Sequence, residues 1–206
     1  MLAHLLDLLF PARADEQLVR TLEEDSFLPL LDPELAPLGE GESAAALLPY
    51  ADKRVSGTIH EAKYRGNDKA FALLAAVLTE YLRELAADGA LAGAVLIPIP
   101  LGGKRLRERG FNQVEQVVKI AAKELSLPVE SKLLIRTRET ASQVSLPRWR
   151  RKQNMRDAFG VVHVPDPSLL YIVVDDVLTT GATLSAALEA LREAGAREVL
   201  AIALAH

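Results

Sequence analysis

Cysteine is absent from this 206-residue chain, which excludes disulfides, thiolate metal sites and a cysteine nucleophile. Aromatic residues make up only 5% of it, so the core has to be built from aliphatic side chains. The four histidines, His4, His60, His163 and His206, lie far apart without ligand spacing, which argues against a structural zinc site. No run of about eighteen apolar residues occurs, so no membrane-spanning helix is expected. The opening MLAHLLDLLF is apolar, but no basic residue precedes it, it contains Asp7, and it is short for a secretory signal. A cytoplasmic location is the expectation.

What is present is a chain of 50% hydrophobic residues, rich in Ala and Leu, long enough for one substantial α/β domain with an appendage. Its net charge of −4 conceals an asymmetry. Residues 1–49 hold ten acids and two bases, a net of −8, whereas residues 101–156 hold fourteen bases and five acids, a net of +9. An anionic ligand would be welcome in the second segment and not in the first.

Leucines at helical spacing predict a short helix over residues 1–10. Residues 11–49, acidic and holding five of the eleven prolines, read as an irregular arm or small lobe; Leu28, Leu30, Leu31, Leu47 and Leu48 predict that it packs onto something. Helices are predicted over 71–87, 112–125 (Asn112 and Glu115 spaced as a capping box) and 183–194 with Gly195 at the cap. Strands are predicted over 94–97, 132–135, 159–164, 169–174 and 199–204. Alternation of strand and helix implies a parallel sheet covered on both faces, with ligands beyond the carboxyl ends of its strands.

The densest chemistry lies in Tyr-Ile-Val-Val-Asp-Asp-Val-Leu-Thr-Thr-Gly-Ala-Thr-Leu, residues 171–184. A β-branched run ends in two adjacent carboxylates, suited to the vicinal hydroxyls of a ribose. A Thr- and Gly-rich turn follows, supplying hydroxyls and backbone N–H groups at a helix N-terminus, where the dipole favours a phosphate. Asp-Asp-x-x-Thr-Thr-Gly arises by chance roughly once in 10⁶ placements at average residue frequencies. A plain capped strand-to-helix turn would explain one of these residues, not two acids and three hydroxyls. The pattern resembles the phosphoribosyl-pyrophosphate loop of type I phosphoribosyltransferases.

Two more segments carry charge. In PIPLGGKRLRERGFNQ, residues 98–113, a Gly-Gly turn permits close backbone approach, and Lys104, Arg105, Arg107 and Arg109 suit a pyrophosphate; the alternative is a solvated basic loop. RTRETASQVSLPRWRRKQNMRDAF, residues 136–159, is long, polar and basic. It reads as a flexible lid bearing Arg136, Arg138, Arg148, Arg150 and Arg151, or as a nucleic-acid patch in which Trp149 stacks a base.

Together with HEAKYRG at 60–66, RTRETASQ at 136–143 and RRKQNMRDAF at 150–159, these strings follow the order of the ComF family, which the chain resembles over about residues 50–206. The family is phosphoribosyltransferase-like and associated with competence and DNA uptake. Its usual four-cysteine zinc module has no counterpart here, although Leu-Leu-Asp-Leu-Leu-Phe-Pro at 5–11 is kept. The resemblance implies a type I phosphoribosyltransferase-like α/β domain over 50–206, with parallel sheet and helices on both faces, preceded by a cysteine-free arm over 1–49. It implies catalytic roles for Asp175 and Asp176, and a phosphoribosyl and phosphate cradle of Val177, Leu178, Thr179, Thr180, Gly181, Ala182 and Thr183. It further implies a pyrophosphate loop of Leu101, Gly102, Gly103 and Lys104.

The implied reaction displaces pyrophosphate from phosphoribosyl pyrophosphate by a nitrogen nucleophile, with Mg²⁺ bound mainly through substrate oxygens. The acceptor is not legible in the sequence. Three readings stay open: an enzyme, a sensor of phosphoribosyl pyrophosphate or a nucleotide, and a protein that passes single-stranded DNA to a competence translocase.

Overall fold

A computed structural model of the chain describes residues 14–39, 41–137 and 158–206. The helix expected over residues 1–10 lies outside them. The main sheet has five strands: β1 (Glu34–Gly39), β2 (Glu42–Leu48), β3 (Ala94–Pro98), β6 (Leu170–Val177) and β7 (Glu198–Ala205). Their spatial order is β1-β2-β7-β6-β3. From β2 to β3 all neighbours run parallel, whereas β1 pairs antiparallel with β2. The sheet is therefore mixed, although mostly parallel. Two short strands, β4 (Leu134–Arg136) and β5 (Phe159–Val161), pair antiparallel in a separate ribbon.

Along each strand, side chains alternate between the two faces. Ala94, Leu96, Ile172, Val174, Ile202 and Leu204 enter one core. There they meet α3 (Lys53–Arg65), α4 (Asp68–Ala87) and α6 (Gln113–Leu125). Val95, Ile97, Tyr171, Val173, Ala201 and Ala203 enter the opposite core, against α7 (Ala182–Glu193) and the β4–β5 ribbon. Both faces are covered, as the strand–helix alternation implies. Beyond β3, residues 128–130 bond to both sides of Leu96, so that edge is not bare.

The irregular arm is corrected by the structure. It contains α1 (Ala14–Thr21), the single turn α2 (Glu24–Phe27), and then β1 and β2, which are hydrogen-bonded into the main sheet. Its expected packing holds: Leu47 and Leu48 are fully buried, and Leu28, Leu30 and Leu31 lie against the core. The sequence ESAAALL carries no strand propensity; it is drawn into the sheet by pairing with β7.

Helix α3 is unforeseen as well, since Val55, Gly57 and Thr58 are weak helix formers. Tertiary packing overrides them: a Cβ on Gly57 would stand 3.4 Å from Leu18 of α1, so the glycine lets the two helices approach. Among the described residues no helix is long and apolar enough to cross a membrane.

Candidate functional site

Strands β3 and β6 lie side by side in parallel, with Pro98 opposite Val174. The N–H of Ile99 donates to Val174 O at 2.9 Å, so the loop after β3 is tied to β6 where the acids begin. The two charge-bearing loops thus leave the sheet at the carboxyl ends of adjacent strands, the usual crevice for a ligand in open α/β sheets.

β6 does not stop before the acids. Pairing with β7 continues through Asp175–Ala203 to Val177–Ala205, so both carboxylates stand on rigid strand. Alternation then sends them to opposite faces. Asp176 points to the side of α3 and α6. Its Oδ2 accepts from Gln113 Nε2 at 2.7 Å and lies 3.1 Å from Lys63 Nζ, while its Oδ1 accepts from the Val177 N–H at 2.8 Å.

Asp175 points to the side of the ribbon, and its Oδ1 accepts from the Asp176 N–H at 2.8 Å. Burial and the neighbouring Asp176 charge push its carboxyl up to about 7, against smaller opposing effects of that hydrogen bond and of Lys63 and Arg136. At neutral pH Asp175 is therefore poised between acid and carboxylate.

The clamp on Asp176 is itself braced. Gln113 is buried, and its Oε1 accepts from Arg109 Nη1 at 3.1 Å; the Arg109 guanidinium lies 5.0 Å from the centroid of the Tyr64 ring. Next to Gln113, Asn112 donates from Nδ2 to Ile99 O at 2.9 Å and accepts from the Val114 N–H at 3.1 Å. Asn112 thus caps α6 and ties it to the β3 loop. The Glu115 partner of the expected capping box turns instead to Lys119, at 2.7 Å.

After β6, Leu178 N–H donates to Ala205 O at 2.8 Å and is committed to the sheet. The N–H groups of Thr179, Thr180, Gly181, Ala182 and Thr183 have no acceptor among the described residues, and they lead into the N-terminus of α7. Gly181 has φ +72°, and a Cβ there would fall 2.7 Å from Leu38 Cδ2 and 3.3 Å from Leu38 Cα. The edge strand β1 therefore presses directly on this turn, and only glycine fits.

The Leu101–Lys104 segment is not a simple loop. Gly102 is the N-cap of α5 (Gly103–Arg109), a two-turn helix that carries Lys104, Arg105, Arg107 and Arg109 and ends at Gly110 with φ +80°. Of the five arginines assigned to the basic loop, Arg136 is placed at the end of β4, with its guanidinium 5.0 Å from the Phe159 ring centroid and its charge acting on Asp175. Arg138, Arg148, Arg150 and Arg151 lie outside the described residues, as does Trp149. Among the described residues no three acidic or histidine side chains cluster as a metal site.

Lys63, in the HEAKYRG string, joins the acids through its contact with Asp176. Gln113 closes the PIPLGGKRLRERGFNQ string, but its pairing with Asp176, 63 residues away, is not legible there. His60 lies within α3, and its Nδ1 is 3.1 Å from Asp15 of α1.

No family model matches the chain. The "DNA utilization protein YhgH" of Salmonella typhimurium is 32% identical over 142 residues, 68% of this chain and 62% of that protein. "Competence protein F" of Haemophilus influenzae is 32% identical over 113 residues, 54% of this chain and 49% of that protein. "Competence protein ComFC" of Streptococcus pneumoniae is 34% identical over 108 residues, 52% and 46% respectively. The chain thus spans less than two thirds of the length of these relatives. Similarity to proteins under all three names converges on one assignment: the chain belongs to the ComF family.

Proposed function

We propose that this chain binds phosphoribosyl pyrophosphate with magnesium in the crevice between the β3 and β6 loops, on a type I phosphoribosyltransferase-like fold, and transfers the phosphoribosyl group to a nitrogen acceptor. The observation that carries the reading is the junction of β6 and α7. Two carboxylates on the strand are followed at once by a turn of uncommitted N–H groups at a helix N-terminus. Carboxylate oxygens accept from ribose hydroxyls, and the turn's donors and the helix dipole favour a phosphate one sugar away.

The roles then divide by chemistry. The acidic pair orients the ribose and steadies positive charge developing at its anomeric carbon as pyrophosphate departs. Thr179 to Thr183 hold the sugar's phosphate. Lys104 and Arg105 near the start of α5, with Arg136 across the crevice, supply positive charge for the leaving pyrophosphate. The donor set suits magnesium. The ion prefers oxygen, keeps several waters and is ordinarily held by one or two carboxylates plus substrate phosphates rather than by a protein cage. Magnesium would offset phosphate charge; the chain's own residues do the orienting.

The relatives' names, "DNA utilization protein" and "Competence protein", support a role in the use of imported DNA. The net charge of +9 over residues 101–156 favours a second reading, a nucleotide sensor or single-stranded-DNA-binding accessory of that process.

Calorimetric titration of magnesium phosphoribosyl pyrophosphate separates them. The proposal expects micromolar binding to the native chain and its loss in the Asp175→Asn/Asp176→Asn double variant. A folded native chain that does not bind refutes the proposal. Steeply salt-dependent binding of single-stranded DNA would then support the second reading.

A further inference from the structure

The two adjacent acids have unequal surroundings. Asp176 is held at both oxygens: Oδ2 receives the Gln113 amide and lies against the Lys63 ammonium, and Oδ1 receives the Val177 N–H. Asp175 has one donor, the Asp176 N–H on Oδ1, and its Oδ2 has no donor among the described residues. The cause is strand geometry. Successive residues of β6 face opposite sides of the sheet, and only the Asp176 side carries α3 and α6 with their Lys63 and Gln113.

Nor is the clamp adventitious. Gln113 is 4% exposed, and the Arg109 donor at its Oε1 fixes which end of the amide faces Asp176. Arg109 is steadied by the face of Tyr64, which follows Lys63 on the same helix. Lys63 and Gln113 thus reach one carboxylate oxygen from two different helices.

We propose that the acids have divided roles: Lys63 and Gln113 are positioning residues that lock Asp176, leaving Asp175 Oδ2 as the carboxylate oxygen presented to the ribose. This rests on the phosphoribosyl reading above. Asp176 then acts through its backbone and its fixed charge, orienting Asp175 by the N–H it donates. The charged groups acting on Asp175 are Asp176 on its own strand, Lys63 from α3 and Arg136 from β4. Ionised Asp175 is the form that accepts from a ribose hydroxyl, so affinity should rise with pH through neutrality and then level.

The test is the dissociation constant of magnesium phosphoribosyl pyrophosphate between pH 6 and 9 for the native chain, Asp175→Asn, Asp176→Asn, Lys63→Met, Lys63→Arg and Gln113→Leu. Asp175→Asn should weaken binding about a hundredfold and leave only the pH dependence of the ligand's own phosphates. Lys63→Met and Gln113→Leu should each weaken it about tenfold through the loosened clamp. Lys63→Met should also move the pH profile to higher pH, because a cation that favours the Asp175 carboxylate has gone. Lys63→Arg should restore both affinity and profile, which a general loss of packing would not allow.

If Asp176→Asn costs as much as Asp175→Asn while Lys63→Met and Gln113→Leu bind like the native chain, Asp176 meets the ligand itself and the division of roles is wrong. If the native chain does not bind the ligand at all, the phosphoribosyl reading falls, and this inference with it.

Discussion

Replacing Asp175 by Asn should make the ligand-free protein more stable in neutral and alkaline solution. Folding takes this carboxyl partly out of water beside Asp176 and raises it from 3.8 to about 7. A group whose folded value is raised favours folding fully below its unfolded value, and that contribution is lost as pH climbs through the folded one. Above pH 7 the native chain therefore folds against the cost of a second, partly buried carboxylate. At about 1.4 kcal/mol per unit, the shift corresponds to an upper limit of roughly 4 kcal/mol at pH 8. Water entering the crevice reduces it, so one to two kcal/mol is the order expected in practice.

The neutral amide has the same shape and can still accept from the Asp176 N–H. In urea denaturation the variant should gain stability over the native chain as pH rises from 5 to 7, with the difference levelling off beyond 8. At pH 8 the gain should appear as an increase of roughly 4 °C in Tm for a domain of this size. A variant less stable than the native chain at pH 8, or a difference independent of pH, would refute the reasoning. Asp175 would then be ionised without cost in the folded state.

Further predictions concern the scaffold that aims the site. Gly181→Ala should cost about 2–3 kcal/mol in chemical denaturation, combining a left-handed backbone with a contact against Leu38 that displaces β1. Asn112→Ala should cost about 2 kcal/mol, since it removes both the cap of α6 and the donor to the buried Ile99 carbonyl. By contrast, Asp15→Ala should change stability by less than about 1 kcal/mol, because the Asp15 and His60 side chains are half-exposed. A larger loss in the same assay would show that α1 is held by that pair rather than by Val19 and Leu18 packing on the core.

The parts of this fold legible in sequence are those where local pattern and tertiary demand agree. Ile172 to Val174 is a β-branched run that is buried on both faces, and Leu184, Ala187, Leu188 and Leu191 repeat at helical spacing on the buried side of α7. The edge β1-β2 was hidden because Ala44 to Leu48 carry no strand preference and Pro37 breaks the pattern. Burial against β7 decides the conformation of β2, and Pro37 is tolerated because β1 is an edge strand with a register shift beside it. Helix α3 was hidden because Gly57 is chosen for close packing rather than for helicity.

At the site, the acids and the Thr-Gly turn are contiguous and so could be read directly. What acts on them was legible only in part: Lys63 stands in the HEAKYRG string, but its contact with Asp176 does not follow from that string. Gln113 and Lys63 reach Asp176 only because α6 and α3 pack on one face of β6, and the unequal state of the two acids depends on which face each one takes.

The most direct test of the account is a crystal structure of the chain with magnesium phosphoribosyl pyrophosphate. The account predicts the sugar's phosphate on the N–H groups of Thr179 to Thr183, a ribose hydroxyl within hydrogen-bond distance of Asp175 Oδ2, and Asp176 still held by Lys63 and Gln113. Ligand bound away from the β6–α7 junction, with those N–H groups left to water, would contradict it.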